Sequence, residues 1–430
     1  MKKFEGKRLL IIGATSYFID VIKEAKEMGI YTICTDYNPN AIAKKYADKS
    51  FDVNTVDYEA ILRLAQDEKV DGVFVGWSDA NLYTAQYVCE QLGLPFYAKK
   101  EQLDCAVNKD YFKQMCRDYG VPCTKQYQLD ENLRREDLDK IEYPVIVKPV
   151  DNGGSRGISV CNCEEELKTA VEKALSYSGR KKLIVEQFME NNGKTISVKY
   201  LIRNGVPYLL SVGDRRVLDA HNGKALITSA AIYPASITQQ YKDTLDAKVC
   251  NMLTSMGYQN GQLFMEAIPT EDGIYFYEMG YRLSGGITYH ITDALTGING
   301  MRMLINFALT GEMCDEKTAD SIDVFMQGKA ACSFAILMRP GTVTKIEGME
   351  EIRNNPNVLD ITQYYKEGMT VESRDVGNVG QMFARLTTIG KSREDLVEVI
   401  HDIEEKICIL DENGEDMFLR AFDPDTIIEK

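Results

Sequence analysis

Two glutamates near the middle of the chain stand where a β-hairpin would bring them together. Glu266 and Glu278 belong to two strand-like runs, and Glu271-Asp272-Gly273 between them forms a three-residue turn that pairs Thr270 with Ile274. This register places Glu266 opposite Glu278, and two like charges directly opposed are destabilising unless a cation lies between them. A divalent metal, with Mg²⁺ bridging nucleotide phosphates as the first choice, resolves the conflict. The alternative is a one-residue slip that leaves both glutamates in solvent.

A guanidinium and a glycine pair follow the second glutamate. Arg282 lies four residues after Glu278. After Leu283 the chain continues with Ser284, Gly285 and Gly286. Developing negative charge on a phosphoryl or tetrahedral oxygen needs fixed cations and exposed backbone amides of this kind. We therefore predict a catalytic role for Arg282 and a substrate-facing role for Ser284, Gly285 and Gly286. The alternative is a structural arginine that pairs with the glutamates.

A lysine and a glycine-rich turn belong to a second predicted hairpin. Lys148 lies near the end of the apolar run Tyr143 to Pro149, and another strand-like run, Ile158 to Cys161, follows the turn. Because the turn joins two strands, its backbone N–H groups and a serine hydroxyl would form a flap over phosphates, with Lys148 as a point charge. An ordinary hairpin beside a surface lysine is the alternative. The predicted phosphate-binding residues of the turn are Gly153, Gly154, Ser155 and Gly157.

Two other segments are candidates for contacts with a nucleotide. Lys109 follows the predicted helix N-cap Asn108, and a cation in the first helical turn opposes the helix dipole unless an anion lies nearby. A helix N-terminus with a lysine is a phosphate cradle, and a solvated lysine is the equal alternative. The strand-like run from Leu183 ends in two polar residues, Glu186 and Gln187, followed by Phe188 and Met189. The backbone groups of this exit and a side-chain acceptor could read an adenine edge.

Two further side chains are candidates for contacts with a substrate. Arg215 follows an apolar strand in Asp214-Arg215-Arg216, and arginines near an active site favour a carboxylate or phosphate by bidentate bonding. A surface ion-pair cluster is the alternative. His290, one of three histidines in the chain, follows Arg282 closely and could act as a base toward a nucleophile or as a donor to the substrate. A structural histidine is the alternative.

The elements that must position these residues fall into three blocks. Strand and helix patterns alternate through residues 1–100 and predict an open parallel sheet. In residues 101–320 a helix after Asn108 is followed by many strands broken by Gly and Asn-Gly turns. Residues 321–430 combine strands with a helix from about Glu394 to Lys406. The fold class is therefore a multidomain mixture of α/β and α+β.

The turn after the first strand partly matches the motif of a dinucleotide-binding site. Gly13 follows this strand, and Asp36 ends the next one, where an acidic residue would hold a ribose. The second and third glycines that such a site needs are replaced by Thr15 and Phe18. We therefore favour a structural or substrate-facing turn over a nicotinamide site.

The charge and cysteine content of the chain limit the classes of molecule it is expected to bind. Fifty Lys plus Arg against sixty-five Asp plus Glu give a net charge of −15, and such a field repels nucleic-acid phosphates and anionic membranes. Eleven scattered cysteines suit a reducing cytoplasm better than a disulfide framework. We expect a cytoplasmic protein with small-molecule partners, with neither nucleic acid nor membrane, and with a homodimer as the default assembly.

Taken in chain order, these motifs resemble the ATP-grasp superfamily of carboxylate-amine ligases. The matching residues are Lys109, Val-Lys-Pro at 147–149, the glycine-rich hairpin, Val-Glu-Gln-Phe at 185–188, Glu266 and Glu-x-x-x-Arg at 278–282. The resemblance implies a parallel α/β domain at 1–100 that precedes the ATP-grasp domain, and an ATP-grasp domain at 101–320 with a flap subdomain at about 125–195. It also implies a small α+β domain at 321–430, similar to the last domain of biotin carboxylase and the purine-pathway members.

That resemblance also implies a reaction. ATP would convert a small carboxylate into an acyl phosphate, which an amine then attacks. Lys109 and Lys148 would hold the ATP phosphates under the glycine flap, Glu186 to Met189 would bind adenine, and Arg282 would hold the transferred phosphoryl group. Mg²⁺ or Mn²⁺ would lie on the two glutamates.

Two positions depart from the family pattern. Gly280 stands where many members have a metal-binding Asn, and Thr195 stands where a ribose-binding Glu is usual. Two alternatives stand beside the carboxylate-amine ligase, and the departures motivate the second of them. One is a biotin-carboxylase-like activation of bicarbonate, and the other is an ATP-binding sensor module without turnover.

Overall fold

The computed structural model describes residues 3–129, 131–150, 157–189, 191, 193–218, 227–313 and 322–428. The strands are β1 (Arg8–Ile12), β2 (Tyr31–Thr35), β3 (Lys49–Phe51), β4 (Gly72–Phe74), β5 (Gln126–Tyr127), β6 (Val145–Pro149), β7 (Ser159–Cys161), β8 (Leu183–Gln187), β9 (Lys194–Arg203), β10 (Val206–Leu218), β11 (Ile227–Tyr233), β12 (Gly261–Thr270), β13 (Gly273–Gly280), β14 (Ala330–Met338), β15 (Gly341–Thr342), β16 (Lys345–Glu347), β17 (Val358–Gln363), β18 (Thr370–Val371), β19 (Met382–Gly390), β20 (Cys408–Leu410) and β21 (Phe418–Leu419).

The helices are α1 (Phe18–Glu27), α2 (Tyr58–Asp67), α3 (Asp79–Leu92), α4 (Lys100–Val107), α5 (Lys109–Asp118), α6 (Arg135–Leu138), α7 (Glu164–Tyr177), α8 (Thr238–Tyr241), α9 (Ala247–Ser255), α10 (Tyr289–Thr296), α11 (Gly300–Thr310), α12 (Met349–Arg353) and α13 (Arg393–Lys406). The predicted helices agree with these bounds within a few residues, whereas α4, α6, α7, α8, α9 and α12 were not predicted. Within the described ranges, no helix combines the length and apolarity needed to cross a membrane.

The first block contains the predicted open parallel sheet. Its strand order is β3-β2-β1-β4, and every pairing in it is parallel. Residues Leu9 to Ile12 of β1 are fully buried, as expected of a parallel strand that is covered on both faces. After β1, a Cβ added at Gly13 would lie 2.5 Å from the ring of Phe18. Phe18 therefore closes the turn, and the turn is a packed structural element.

A long sheet runs through the second and third blocks. Its strand order is β13-β12-β9-β10-β11-β14-β19-β17, with β21 pairing with one end of β14. The sheet crosses the predicted domain boundary near residue 320, because β14 of the third block pairs with β11 of the second. All nine residues of β14 are buried, so this strand lies at the centre of the core between the blocks. The division into domains stays a prediction.

A smaller sheet forms a separate layer with its own hydrophobic core. Its order is β5-β8-β6-β7, and α7 packs on it through apolar residues such as Leu167. The predicted hairpin is confirmed by the antiparallel pairing of β6 with β7, in which Val145 faces Cys161. This layer lies within residues 125–195, the range predicted for the flap subdomain.

The hairpin of β12 and β13 differs from the prediction at its turn. Thr270 pairs with Gly273, so the loop has two residues, and the predicted pairing of Thr270 with Ile274 is wrong. The register then shifts by one residue beside Glu266, where Tyr277 is the extra residue of a β-bulge. This bulge offsets the shorter loop, and Glu266 therefore lies opposite Glu278 as predicted.

Candidate active site

A cavity of about 810 Å³ lies over the face of the long sheet. It is bounded by the small sheet, the segment after β13 and part of the third block. The predicted residues that line it are Lys109, Lys148, Glu186, Gln187, Phe188, Met189, Arg215, Glu266, Glu278, Arg282, Ser284, Gly285 and Gly286. Gly157 and His290 are described but do not line it. Gly153, Gly154 and Ser155 lie outside the described residues.

Lys148 belongs to a buried group of two lysines and one glutamate. The Glu186 carboxylate lies 2.8 Å from Lys148 Nζ and 2.6 Å from Lys113 Nζ, and it is 1 % exposed. Burial alone would raise the pKa of Glu186, but the charges of Lys148 and Lys113 lower it to about 2. The group carries one positive charge in excess, on the side where Lys148 lines the cavity. It therefore offers a fixed cation to an anionic ligand.

The exit of β8 is held by internal hydrogen bonds. Gln187 donates from its side-chain amide to the carbonyl of Pro144 at 2.9 Å and accepts from the hydroxyl of Tyr127 at 2.5 Å. The backbone N–H of Phe188 donates to the same carbonyl at 3.0 Å. The Glu186 carboxylate is engaged as well, by two lysines. At the predicted adenine site, the groups left to contact a base are therefore backbone carbonyls and the side chains of Phe188 and Met189.

Lys109 occupies the first position of α5. The predicted N-cap is confirmed, because the Asn108 side chain accepts a hydrogen bond from the N–H of Asp110 at 2.9 Å. Lys109 is half-buried and lines the cavity at this helix N-terminus. The helix dipole and the lysine therefore present positive charge together to the cavity, which favours an anion there.

The two glutamates of the hairpin have different surroundings. Glu266 accepts a hydrogen bond from the hydroxyl of Tyr277 at 2.8 Å and forms an ion pair with Arg215. Glu278 is half-buried, and its carboxylate has neither a hydrogen bond nor an ion pair with any residue that the structure describes. The bulge thus places Tyr277 beside Glu266 and leaves Glu278 free to bind a ligand. Arg215, predicted to meet substrate, lines the cavity and is also the counter-ion of Glu266.

Arg282 is fixed by a residue from the first block. Its Nε and Nη2 donate to the two carboxylate oxygens of Asp79 at 2.6 and 2.8 Å. Its guanidinium also lies 5.0 Å from the ring centroid of Phe264. Burial opposes the charge, but Asp79 outweighs it and raises the pKa of Arg282. The alternative that Arg282 pairs with the two glutamates is wrong, because its ion pair is with Asp79.

The same phenylalanine accounts for Gly280. A Cβ added at Gly280 would lie 2.5 Å from the ring of Phe264, so an asparagine there would displace this ring from Arg282. Beyond Arg282, a Cβ added at Gly285 would meet no atom within 4 Å. The backbone of this glycine is therefore openly accessible from the cavity, as a donor to an anionic ligand must be.

Comparisons with known proteins fit this geometry. Residues 108–315 match the family model of the "Carbamoyl-phosphate synthase L chain, ATP binding domain". The chain carries an ATP-grasp domain. It is 26% identical over 327 residues to the 2-oxoglutarate carboxylase small subunit of Hydrogenobacter thermophilus, an alignment covering 70% of this chain and 66% of that protein. A formate-dependent phosphoribosylglycinamide formyltransferase of Wolinella succinogenes is 29% identical over 203 residues, or 44% of this chain and 52% of the relative.

Solved structures share the fold over nearly the whole chain. The L-amino acid ligase from Bacillus licheniformis superposes with a TM-score of 0.78 at 21% identity, covering 95% of this chain and 100% of that one. The biotin carboxylase domain of the Hydrogenobacter thermophilus 2-oxoglutarate carboxylase has a TM-score of 0.76 at 21% identity, with coverage of 94% and 90%. By contrast, the chain spans between half and two thirds of the length of the two curated relatives named above.

His290 does not line the cavity. Its Nε2 is 3.0 Å from Asp20, which also accepts from the Tyr289 hydroxyl at 2.9 Å. One ligand atom each of Asp20, His290 and Asp360 lie within 4.8 Å of one another. Burial lowers the pKa of His290, but the hydrogen bond to Asp20 and the nearby carboxylates outweigh burial and raise it. This geometry favours the structural alternative over a base in the cavity.

Sequence reasoning missed several residues of the site. Lys113 lies one helical turn after Lys109 on α5, which is the spacing of neighbours on one helix face. Ser197 and Lys199 line the cavity from β9, where they alternate with buried apolar residues. Both patterns are visible in the sequence. Asp79 gave no such signal, because its partner Arg282 lies 203 positions away.

Proposed function

We propose that this protein is an ATP- and Mg²⁺-dependent ligase that activates a small carboxylate as an acyl phosphate and couples it to an amine. The observation that carries the proposal is the convergence on one cavity of Lys109, Lys148, Glu266, Glu278 and Arg282. Three of them are cations that suit phosphate oxygens, and two are carboxylates that suit a hard divalent cation. Positioning and charge neutralisation do most of the work of phosphoryl transfer, so no nucleophilic side chain is required.

The carboxylates fit a magnesium site. Glu278 has no protein partner within the described residues, and only one oxygen of Glu266 is engaged, by Arg215 and Tyr277. Two opposed carboxylates with free oxygens favour Mg²⁺ or Mn²⁺, which prefers oxygen ligands. When bound, the ion would neutralise charge on the nucleotide phosphates. Gly280 adds no side-chain ligand, so water or substrate would complete the coordination.

The cations fit the phosphates of ATP. Lys109 and the N-terminus of α5 present positive charge to the cavity, and Glu186 holds Lys148 in a fixed position. Arg282 keeps its charge through Asp79 and would face the transferred phosphoryl group. Gly153 to Gly157 remain the proposed flap on sequence grounds. The Hydrogenobacter biotin carboxylase domain crystallised in complex with MgADP and bicarbonate, which supports a nucleotide and a small acid in this fold.

The names of the relatives support a small acid as the substrate. They include a formate-dependent formyltransferase, a carboxylase subunit and an L-amino acid ligase. We take the amine as the nucleophile, as the resemblance implies. The Hydrogenobacter domain crystallised as a dimer, which supports a homodimer here, and cytoplasmic localisation stays a prediction.

The test is release of ADP. Purified protein with ATP and Mg²⁺ is incubated with formate, bicarbonate, acetate and single L-amino acids, each with and without a pool of amines. Release that requires both an acid and an amine supports the ligase. Release with bicarbonate alone favours the biotin-carboxylase-like alternative, and ATP binding without ADP in every mixture favours the sensor module.

A further inference from the structure

Lys199 is a buried lysine in the wall of the cavity that none of the proposed roles uses. It is 3% exposed, lines the cavity and donates from Nζ to the hydroxyl of Tyr233 at 2.5 Å. Its Nζ also lies 4.5 Å from the centroid of the Tyr233 ring. No carboxylate forms an ion pair with it among the residues that the structure describes. A buried ammonium without a counter-ion is costly, and an anion bound beside Lys199 would offset this cost.

Three other cations of the wall have carboxylate partners, which Lys199 lacks among the described residues. Lys148 pairs with Glu186, Arg215 with Glu266, and Arg282 with Asp79. Arg385, from the third block, donates to the backbone carbonyl of Thr228 at 3.2 Å. Lys109 lies at the helix N-terminus proposed for phosphates.

The β9 register gives the position of Lys199 relative to the proposed metal site. Ser197 pairs with Glu266, and Lys199 pairs with Phe264. Two residues of an antiparallel strand span about 7 Å, so Lys199 lies one such step beyond Glu266 along the sheet. Thr195 lies two residues before Ser197, in the direction away from Lys199. It is near the start of β9, where the chain arrives from the exit of β8.

The far end of the cavity also contains the loop after Arg282. Lys199 lines a small recess together with Arg282, Ser284 and Thr288. The proposed nucleotide site begins at β8 and reaches the metal ligands at the level of Ser197. An anion at Lys199 would therefore lie beyond the nucleotide, beside the loop that contains Gly285 and Gly286.

We propose that Lys199, held by Tyr233, is the counter-ion that binds the carboxylate of the acid substrate at this end of the cavity. This inference rests on the proposed ligase function and adds the residue that recognises the acid. The ammonium supplies charge and a hydrogen-bond donor to a carboxylate oxygen. Lys199 is thus a binding residue for the acid, and the lysines at 109 and 148 serve the nucleotide.

The test compares Lys199→Met, Lys199→Arg and Tyr233→Phe with the wild type, and uses Lys248→Met on the exposed face of α9 as a matched control. Binding is measured by calorimetry with a non-hydrolysable ATP analogue and Mg²⁺ present, using formate, bicarbonate, acetate and single L-amino acids as probes. Affinity for the ATP analogue is measured separately, and ADP release gives KM for the acid and for ATP.

We expect Lys199→Met to weaken acid binding at least tenfold, to raise KM for the acid, and to change affinity for the ATP analogue less than threefold. Lys199→Arg should retain part of the acid affinity, and Lys248→Met all of it. Tyr233→Phe should raise KM for the acid several-fold, which gives a result even where Lys199→Met fails to fold. Wild-type acid affinity in Lys199→Met, or no acid probe bound by the wild type, would overturn the inference.

The two proposals fail in different ways. If the wild type binds an acid through Lys199 but no mixture releases ADP, the ligase function is wrong and the anion site stands. If ADP release requires an acid but its KM is unchanged in Lys199→Met and Tyr233→Phe, the ligase function stands and the anion site is wrong.

Discussion

Arg282 and Asp79 form a bidentate ion pair that joins the segment after β13 to the first turn of α3. The residues are 203 positions apart, yet both oxygens of Asp79 accept from the Arg282 guanidinium at 2.6 and 2.8 Å. The planar fork of an arginine matches a carboxylate in this way, and a lysine cannot reproduce it. The parallel α/β block therefore contributes to the orientation of a candidate catalytic cation.

Asp79→Asn should lower kcat for ADP release about tenfold while leaving KM for ATP within twofold. The amide keeps the shape of the side chain but loses the charge that orients Arg282. Steady-state kinetics check this, with Asp67→Asn at the C-terminal end of α2 as the control. An unchanged kcat in Asp79→Asn would show that Arg282 needs no such partner.

Glu278→Gln should abolish Mg²⁺-dependent ADP release, because it removes a charged ligand oxygen from the proposed metal site. Since Glu278 has no partner among the described residues, the variant should unfold within about 1 °C of the wild type. Glu271→Gln, in the exposed turn of the same hairpin, should keep full activity. Turnover by Glu278→Gln at the wild-type rate would contradict the assignment of the metal ligands.

Glu186→Gln should destabilise the protein by about 3–5 kcal/mol, the usual cost of leaving a buried charge without its partner. Lys113 and Lys148 would then face each other across a neutral amide in an almost fully buried group. Urea unfolding followed by circular dichroism measures the loss. Glu142→Gln, whose carboxylate is 71% exposed in its pair with Lys125, should cost less than 1 kcal/mol. Equal losses in the two variants would contradict the role of burial.

Lys199 should make stability depend on pH between neutral and alkaline conditions. Burial and the charge of Arg215 lower the pKa of Lys199 to about 7, against the opposing effect of Glu266. Tyr233 is the other titratable group in contact with it. Between pH 7 and the unfolded pKa of about 10.4, the unfolded chain holds the extra proton, so the free energy of unfolding rises with pH.

The measurement for this prediction is the difference between the wild type and Lys199→Met. As pH rises from 7.5 to 9.5, the wild type should gain up to about 1.4 kcal/mol per pH unit relative to the variant. Below pH 7 the difference should level off, because both the folded and unfolded chains are then protonated. A difference that is flat across the alkaline range would show that Lys199 keeps an ordinary pKa.

Local patterns in the sequence were sufficient for the parallel sheet, for several of the helices and for thirteen residues of the cavity wall. Alternating strands and helices predicted the parallel sheet, and Asn108 marked the start of α5. The opposition of Glu266 and Glu278 was also predicted, although the two-residue turn and the bulge at Tyr277 that produce it were not. Hairpins and caps are decided by residues close in the chain, which is why short patterns reveal them.

Tertiary structure alone decided which charges neutralise one another. Arg282 pairs with Asp79, Arg215 with Glu266 and Lys148 with Glu186, while Lys199 lacks a carboxylate partner within the described residues. His290 was placed against Asp20 rather than in the cavity. Ion pairs act over a few ångströms in space and are indifferent to separation along the chain. The sequence therefore determined the types of residue available to the site, and the packing of three blocks determined their partners.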